Sequence, residues 1–451
     1  MSAITPTLYL PIEDAARELD SKVLIAGAAV ARGLGVVIGQ QWLLVNNHAA
    51  MPLGLMVFKG MNARQANAMR VASATGHLTA ATDEEAMGLA DIPYIQRDID
   101  ADIAGYCDLF LAQGPLHARA IAEKTKAPVE AVRTVGNARI DLLRPPFTAL
   151  FSQEADALRA RFGDFILLNT NIGGVNSNFG GIAQYREVVI RIGWMDPDNP
   201  EDNALFETIV DFDKANMALS RDVAARLSAA FPDKRIIIRP HGSERLDTWL
   251  AFAEGFPNIT VIREGRHSSW ILASKAVVHT CCTTGLESEI LGRPAVNLRP
   301  EDHQRSLHRV YIANIANLSA STSDAAIDLV RPTLEGDTTA FDIGRRNRMN
   351  SLRDHIAGLD DTFAYERIAE AAASRLLERG GVPGGFRWQP TNPDTYLGAV
   401  RRTDYQREKI NLSQPQFEKT WAELNGLVDQ AAGVNIRQIG DSLFLVEPSA
   451  G

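Results

Sequence analysis

Short runs of β-branched and apolar residues alternate with helix-length segments along most of this chain, and few folds accept that alternation. Strands that each return in parallel through a helix build an α/β sheet, whereas sandwiches need strands in closer succession and bundles need none. The first runs are Leu8 to Ile12, Val36 to Ile38, Leu55 to Phe58, His77 to Ala81, Leu109 to Ala112 and Val132 to Val135. A helix pattern from Leu19 to Arg32 separates the first two, with Ala and Leu on one face. After a long helix pattern, Phe147 to Phe162, a second series opens at Phe165 to Leu168 and continues at Arg235 to Ile238, Ile259 to Ile262, Ala276 to His279 and Ala295 to Leu298. Helical segments at Asp324 to Val330, Phe341 to His355 and Tyr365 to Arg379 are expected to close it. The expectation is an α/β protein with two doubly wound, Rossmann-like domains, residues 1–163 and 164–385. Residues 386–451 form a Gly- and Pro-rich extension with two weaker helical patterns and no assigned structure.

The 451 residues suit that division, since a domain takes roughly 100–200 residues. With 46 Lys and Arg against 55 Asp and Glu the net charge is -9, which argues against nucleic acid as a partner held by overall charge. Three cysteines, two of them the adjacent Cys281 and Cys282, draw no disulfide framework and point to a reducing, cytoplasmic setting. Residues 1–11 lack the basic and apolar regions of a signal peptide, and no stretch is apolar for the roughly 20 residues that a spanning helix needs. The arginines at 345–353 and 401–407 are read as solvating exposed helices, with peripheral membrane contact as the alternative.

Ligands of open α/β sheets bind beyond the carboxyl ends of the strands, so residues directly after each strand carry the functional signal. Arg239, Pro240, His241, Gly242, Ser243 and Glu244 follow one strand of the second series. Thr280, Cys281, Cys282, Thr283, Thr284, Gly285 and Glu287 follow another, a hydroxyl-rich turn opening a helix whose amides would seat a phosphate. The bland alternative is a capping box, T-x-x-E, that only stabilises the helix. Asn169 and Asn171 end the Phe165 strand. In the first series, Asp83, Glu84 and Glu85 stand together after a strand, where mutual repulsion would raise one carboxylate toward use as a base. Arg17, Glu18, Asp20 and Lys22 follow the first strand and are candidates for a cleft. Two DxD patterns, Asp211 with Asp213 and Asp196 with Asp198, follow no strand, and no HxxxH or HExxH spacing occurs, so neither a metal nor another cofactor is expected.

Six segments in order, LYLPIEDAARELDSK from Leu8, TDEEAMGL from Thr82, VGNARIDLL from Val135, ILLNTNIGGVN from Ile166, RPHGSE from Arg239 and HTCCTTGLESEILGRPAV from His279, resemble a family of bacterial surface carbohydrate biosynthesis proteins related to CMP-sugar glycosyltransferases of GT-B fold. The resemblance implies two Rossmann-like domains facing across a cleft, the second holding the nucleotide and the first the acceptor. It implies that His241 and the pair Thr283 and Thr284 hold the CMP phosphate, although Gly242 stands where a proline is usual. Asp83 or Glu84 becomes the catalytic base, although Glu85 and Ala86 stand where glycine is expected. Arg239, Glu244, Gly285 and Glu287 complete the nucleotide set, and Arg17, Glu18, Asp20, Asn169 and Asn171 the acceptor or cleft set. The function expected is transfer of a Kdo-like or nonulosonic acid sugar from CMP to a surface glycan or glycolipid. The alternatives are a sugar-nucleotide 2-epimerase of the same fold and a catalytically silent glycan-assembly subunit.

Overall fold

A computed structural model describes residues 6–191, 193–300, 310–360, 362–378, 402–428, 430 and 433–449. The chain is α/β and divides into two compact units, each built on its own largely parallel sheet. Unit 1 holds residues 1–87, 92–147 and 353–451, and unit 2 holds residues 88–91 and 148–352.

In unit 1 the strands are β1 (Thr7–Ile12), β2 (Gly35–Gln40), β3 (Gly54–Phe58), β4 (Leu78–Ala81), β5 (Leu109–Ala112) and β6 (Val132–Thr134). They are parallel in the order β2-β1-β3-β4-β5-β6. β1 to β5 are almost wholly buried because helices cover both faces of such a sheet. Unit 2 holds β7 (Phe165–Thr170), β8 (Arg235–Pro240), β9 (Ile259–Val261), β10 (Ala276–His279), β11 (Ala295–Leu298) and β12 (Leu318–Ala320). Their order is β12-β11-β10-β7-β8-β9, the doubly wound order in which the strand sequence reverses between β7 and β10.

Alternation along the strands sorts the unit 2 core into two layers. Ile166 and Leu168 of β7 join Ile236, Ile238, Val278 and Trp249 beneath helices Pro200–Ala230 and Ser323–Leu334. Phe165 and Leu167 face the other way, with Ile237, Val277 and Trp270, beneath helices Ala149–Phe162 and His267–Ala273.

The domain boundaries differ from those expected at 163 and 385. Helix Ala149–Phe162 belongs to unit 2, because Glu154 accepts hydrogen bonds from Arg266 N at 3.0 Å and Ser269 Oγ at 2.8 Å, and Phe162 lies against Trp270 with ring centroids 5.6 Å apart. Helix Ala364–Glu378 does not close unit 2 but lies in unit 1. Asp141 Oδ2 accepts from Tyr365 N at 2.9 Å, and Phe147 meets Phe363 and Tyr365 edge-on at 5.4 and 5.9 Å. The chain re-enters unit 1 by backbone contact, Leu116 N to Asp354 O at 2.9 Å and Ala357 N to Gln113 O at 2.8 Å. A Cβ on Gly114 would lie 2.1 Å from His355 O, so only glycine permits that approach.

The C-terminal segment, which the sequence left unassigned, is part of the first sheet. Helices Asp404–Lys409 and Gln414–Gly426 precede a hairpin of β13 (Val434–Gly440) and β14 (Leu443–Pro448), and β14 pairs antiparallel with β2. Phe444 and Phe417 are buried and stack at 4.3 Å. Phe444→Ala is therefore expected to lower the stability of unit 1 by about 3–5 kcal/mol, as a buried phenylalanine does. Urea denaturation followed by circular dichroism checks this, and an unchanged midpoint would mark the hairpin as a dispensable appendage.

Candidate functional site

The end of β7 sends two neighbouring side chains to opposite faces, and each organises one side of a site. In register Asn169 lies between Arg239 of β8 and His279 of β10, at the position where the sheet order reverses. Side chains of strand residues alternate, so Asn169 follows Phe165 and Leu167 while Thr170 follows Ile166 and Leu168.

On the Asn169 side four polar groups converge. Asn169, 3% exposed, donates through Nδ2 to Thr284 Oγ1 at 3.1 Å and to His267 Nε2 at 3.2 Å. His267 Nε2 lies 3.1 Å from Thr284 Oγ1 and 3.9 Å from Glu287 Oε2. His267 arrives there because the crossover from β9 to β10 must traverse β8 and β7, and its helix begins at that residue. His267 was not among the residues expected from sequence. The rule that found His241, that residues directly after a strand carry the functional signal, also applies to Arg263 to His267 after β9.

The helix Thr283–Ile290 settles the capping question raised by T-x-x-E. Its N-cap is Cys282, without a side-chain capping bond, so Thr283 and Thr284 occupy the first helical turn. Cys281 before it has φ 46°, a left-handed conformation that L residues reach only at a cost and that is often kept at functional sites. Gly285 is fixed by sterics, since a Cβ there would lie 2.0 Å from Asn317 Oδ1 and 2.5 Å from His279 Cε1. That close packing requires a glycine here. Burial pushes the His279 imidazole down to about 4, so it is neutral and its Nε2 meets Asn317 Oδ1 at 3.0 Å.

On the Thr170 side the organiser is Glu244, fully buried. It accepts from Thr170 Oγ1 at 2.8 Å, His241 N at 3.1 Å, Trp249 Nε1 at 3.0 Å, and Ile172 N and Asn176 Nδ2 at 3.3 Å. The loop after β7 is thereby zipped to the loop after β8, with Asn178 N bonded to Ser243 O at 2.8 Å and Arg245 N to Asn176 O at 2.8 Å. Glu244, expected in the nucleotide set, has its oxygens committed to these loops. His241 is exposed, and its Nδ1 accepts from Ser243 N at 3.2 Å, which leaves Nε2 as the protonated nitrogen of the neutral ring. Asn171 is also exposed, its backbone N tied to Thr280 Oγ1 at 2.9 Å.

Arg239 is placed elsewhere than expected. Its guanidinium donates to the carbonyls of Glu264 and Gly265 and lies 5.0 Å from the Trp270 ring centroid, and burial pushes it down to about 10. Arg263 instead underpins the His241 loop, donating to Glu244 O at 2.6 Å and Gly242 O at 3.4 Å. Asn169 and Asn171, expected with the acceptor, stand in unit 2 beside Thr284 and Thr280.

The first-unit candidates have individual partners. Asp83 is buried, accepting from Ala86 N at 3.2 Å with Oδ2 3.8 Å from His117 Nε2, and burial pushes His117 down to about 4, so that ring is neutral. Glu84 lies 3.8 Å from Lys22 Nζ, and the side chain of Glu85 is outside the described residues. Glu18 is buried, accepts from Glu13 N at 3.3 Å and Asp14 N at 3.1 Å at the start of helix Ala15–Ala31, and pairs with Lys22 at 2.8 Å. Burial works against the Lys22 ammonium, but Glu18 and Glu84 outweigh it and raise it overall. Burial likewise opposes the Glu13 carboxylate, yet Lys409 and Lys59 hold it down at about 2. Arg17 is exposed and Asp20 half-buried on the same helix.

The DxD carboxylates diverge, Asp211 to solvent and Asp213 inward to Gly174 N at 2.8 Å, while Asp196 accepts from Asp198 N at 3.0 Å in a turn. Among the described residues no group of three or more His, Cys, Asp or Glu is placed to hold a metal ion, and no helix is long and apolar enough to cross a membrane. Arg345 and Arg348 lie 3.7 and 3.3 Å from Glu289, and Arg402 and Arg407 pair with Asp441 and Asp404; Arg401 is outside the described residues.

No protein-family model matches the chain, and no curated protein matches it in sequence. Its fold is similar to solved structures. One is the wall teichoic acid polymerase TagF soaked with CDPG, with TM-score 0.49, 10% identity, 83% of this chain and 89% of that one covered. Another is UDP-GlcNAc 2-epimerase from Methanocaldococcus jannaschii, with TM-score 0.49, 12% identity, 84% of this chain and 100% of that one covered. A third is UDP-GlcNAc 2-epimerase from Neisseria meningitidis bound to UDP-GlcNAc, with TM-score 0.47, 12% identity and coverages of 83% and 99%.

Glu244→Ala is expected to cost about 3 kcal/mol or more, because it strands several buried donors. Thr283→Ala, which removes no cap, is expected to stay within about 0.5 kcal/mol in the same thermal denaturation. Burial pushes the Asp213 carboxyl up from 3.8 to about 7, with the Gly174 N–H opposing and Glu244 adding to the rise. The folded chain then binds a proton there that the unfolded chain has released. This contribution to stability is full below pH about 4 and is lost as pH rises to about 7. Asp213→Asn keeps the acceptor for Gly174 and should flatten the fall in stability between pH 5 and 8; an unaltered pH profile would refute the assignment.

Proposed function

We propose that this chain is a nucleotide-sugar-dependent glycosyltransferase whose donor phosphate sits at the carboxyl end of the second sheet. The observation that carries the reading is the convergence of Asn169, His267, Thr284 and Glu287 on the helix start at the β7/β10 reversal, the place where doubly wound sheets bind ligands. Backbone N–H groups at the start of the Thr283–Ile290 helix favour an anion by about 0.3–1 kcal/mol. Thr283 and Thr284 add hydroxyl donors, and His241 presents a protonated Nε2. Together they would stabilise charge that grows on the phosphate as the glycosidic bond breaks, which is where preorganised donors act most strongly.

The resemblance of RPHGSE and HTCCTTGLESEILGRPAV to the CMP-sugar group supports cytidine monophosphate as the leaving group, and a Kdo-like or nonulosonic acid as the sugar. The acceptor is a surface glycan or glycolipid. Glu287, one turn into the helix, would accept from ribose hydroxyls. A carboxylate of the first unit, Asp83 or Glu84, would take the acceptor's proton, a role worth about 10²–10⁴-fold.

Incubation of the purified protein with CMP-Kdo or CMP-sialic acid and a lipid-linked acceptor should release CMP. His241→Ala and the double change Thr283→Ala with Thr284→Ala should each reduce the rate by about 10²–10³-fold while the protein stays folded. Asp83→Asn or Glu84→Gln should abolish transfer and leave CMP binding intact. Turnover of UDP-sugars to their 2-epimers without CMP release would overturn this reading in favour of an epimerase.

A further inference from the structure

Asn169 holds an unusual position for a buried amide. Its Nδ2 serves both Thr284 and His267, yet its Oδ1 is buried with no hydrogen-bond partner among the described residues. An unpaired buried carbonyl oxygen costs about 1–3 kcal/mol, so a donor that could satisfy it would be welcome. Of the two groups that Nδ2 meets, Thr284 can turn its hydroxyl in either protonation state, whereas His267 changes from acceptor to donor only by taking a proton. With Asn169 Nδ2 donating, Nε2 accepts and the ring is neutral. Once Nε2 carries a proton it must donate, and a half-turn of the Asn169 amide brings Oδ1 to meet it while Nδ2 takes the place that Oδ1 leaves; the gain is the charge-assisted bond to the imidazolium. The two orientations of one amide therefore match the two protonation states of one histidine.

Resting on the donor-site reading above, we propose that His267 is a phosphate-binding residue of this site, which takes a proton from solvent at Nε2 when a nucleoside phosphate binds and holds that anion as the imidazolium. The chemistry favours this for three reasons. A phosphate at the Thr283–Ile290 helix start would bring negative charge close to the ring, and opposite charge within about 4–6 Å favours the protonated form. Glu287 Oε2, 3.9 Å away, already supplies one such charge. Thr284 Oγ1, at 3.1 Å, can reverse its hydroxyl to accept from the imidazolium. Other charged and titratable groups among the described residues on the elements around the ring have partners of their own. Glu154 is occupied by Arg266 N and Ser269 Oγ, Arg266 lies 5.9 Å from the Phe151 ring centroid, and burial pushes the Cys282 thiol up to about 11, so it stays neutral. The ligand class is a nucleoside phosphate, recognised through its phosphate rather than its base.

The test is a titration of the full chain labelled with ¹³C-histidine, followed by NMR, with the His267 signal assigned by its loss in His267→Gln. Without ligand, Asn169→Val should lower the His267 midpoint because the amide acceptor is gone, and Asn169→Asp should raise it. Saturating CMP should raise the wild-type midpoint by about one unit or more. Correspondingly, CMP affinity should fall several-fold from pH 6 to pH 8 in the wild type and by clearly less in His267→Gln. A His267 midpoint unmoved by both Asn169 variants and by CMP would overturn the proposal. Inorganic pyrophosphate separates the two readings: if CMP fails to bind but pyrophosphate shifts His267, the phosphate-binding role stands and the CMP-donor reading falls. If neither ligand shifts it, His267 is not part of a phosphate site.

Discussion

The second unit depends on one crossover. A parallel sheet cannot grow from both sides of its first strand without carrying the chain back across it, and the β9 to β10 connection does this by passing over β8 and β7. The reversal leaves the carboxyl ends of β7 and β10 as neighbours, the position at which doubly wound sheets place their ligands. The helix of the same crossover starts at His267, so the connection that creates the reversal also brings a polar side chain to it. Glu154 fastens that helix start from helix Ala149–Phe162, which is why this helix belongs with the second sheet although it precedes the sheet's first strand.

Glu244 is the complement on the other face. A buried carboxylate is tolerated only when its oxygens are satisfied, and here backbone and side-chain donors from two loops and the helix Leu246–Ala253 do so. The polar interior this creates fixes where the exposed His241 stands. Arg239 and Gly285 have structural tasks as well: one ties down the loop after β9, the other lets the Thr283–Ile290 helix approach His279 and Asn317.

In unit 1 the interior charges at the carboxyl end of the sheet form a neutralised network. Glu18 closes the start of helix Ala15–Ala31, Lys22 donates to Pro11 O and stands between Glu18 and Glu84, and Glu13 is shared by Lys59 and Lys409. Lys409 comes from the C-terminal segment, so this end of the sheet is assembled from pieces nearly the whole chain apart. The VGNARIDLL segment has a structural task of the same kind, since Asn137 caps its own short helix and Asp141 receives the start of helix Ala364–Glu378.

The sequence alone determined the elements: eleven runs of apolar, β-branched residues placed strands correctly, because burial on both faces, which nine of the eleven show almost throughout, demands continuous apolar composition whatever the neighbours are; β6 and β9, at the sheets' ends, are less buried. It also located the loops at the strands' carboxyl ends, since a strand's carboxyl end is a local property. β12, β13 and β14 escaped notice. The first is only three residues long, and β13 is half-buried or exposed over its first five residues, so it carries little of the apolar run that marks the other strands. Tertiary structure alone decided which unit each helix joined, because Glu154 and Asp141 act on residues 112 and 224 positions away. It decided, too, that His267 stands at Asn169 while Arg239 is held by the carbonyls of Glu264 and Gly265. Both residues follow the same chemical rule in sequence and lie on the Asn169 face of the sheet, and only the path of the crossover, which lays the loop after β9 beside Arg239 and carries His267 on to Asn169, separates them.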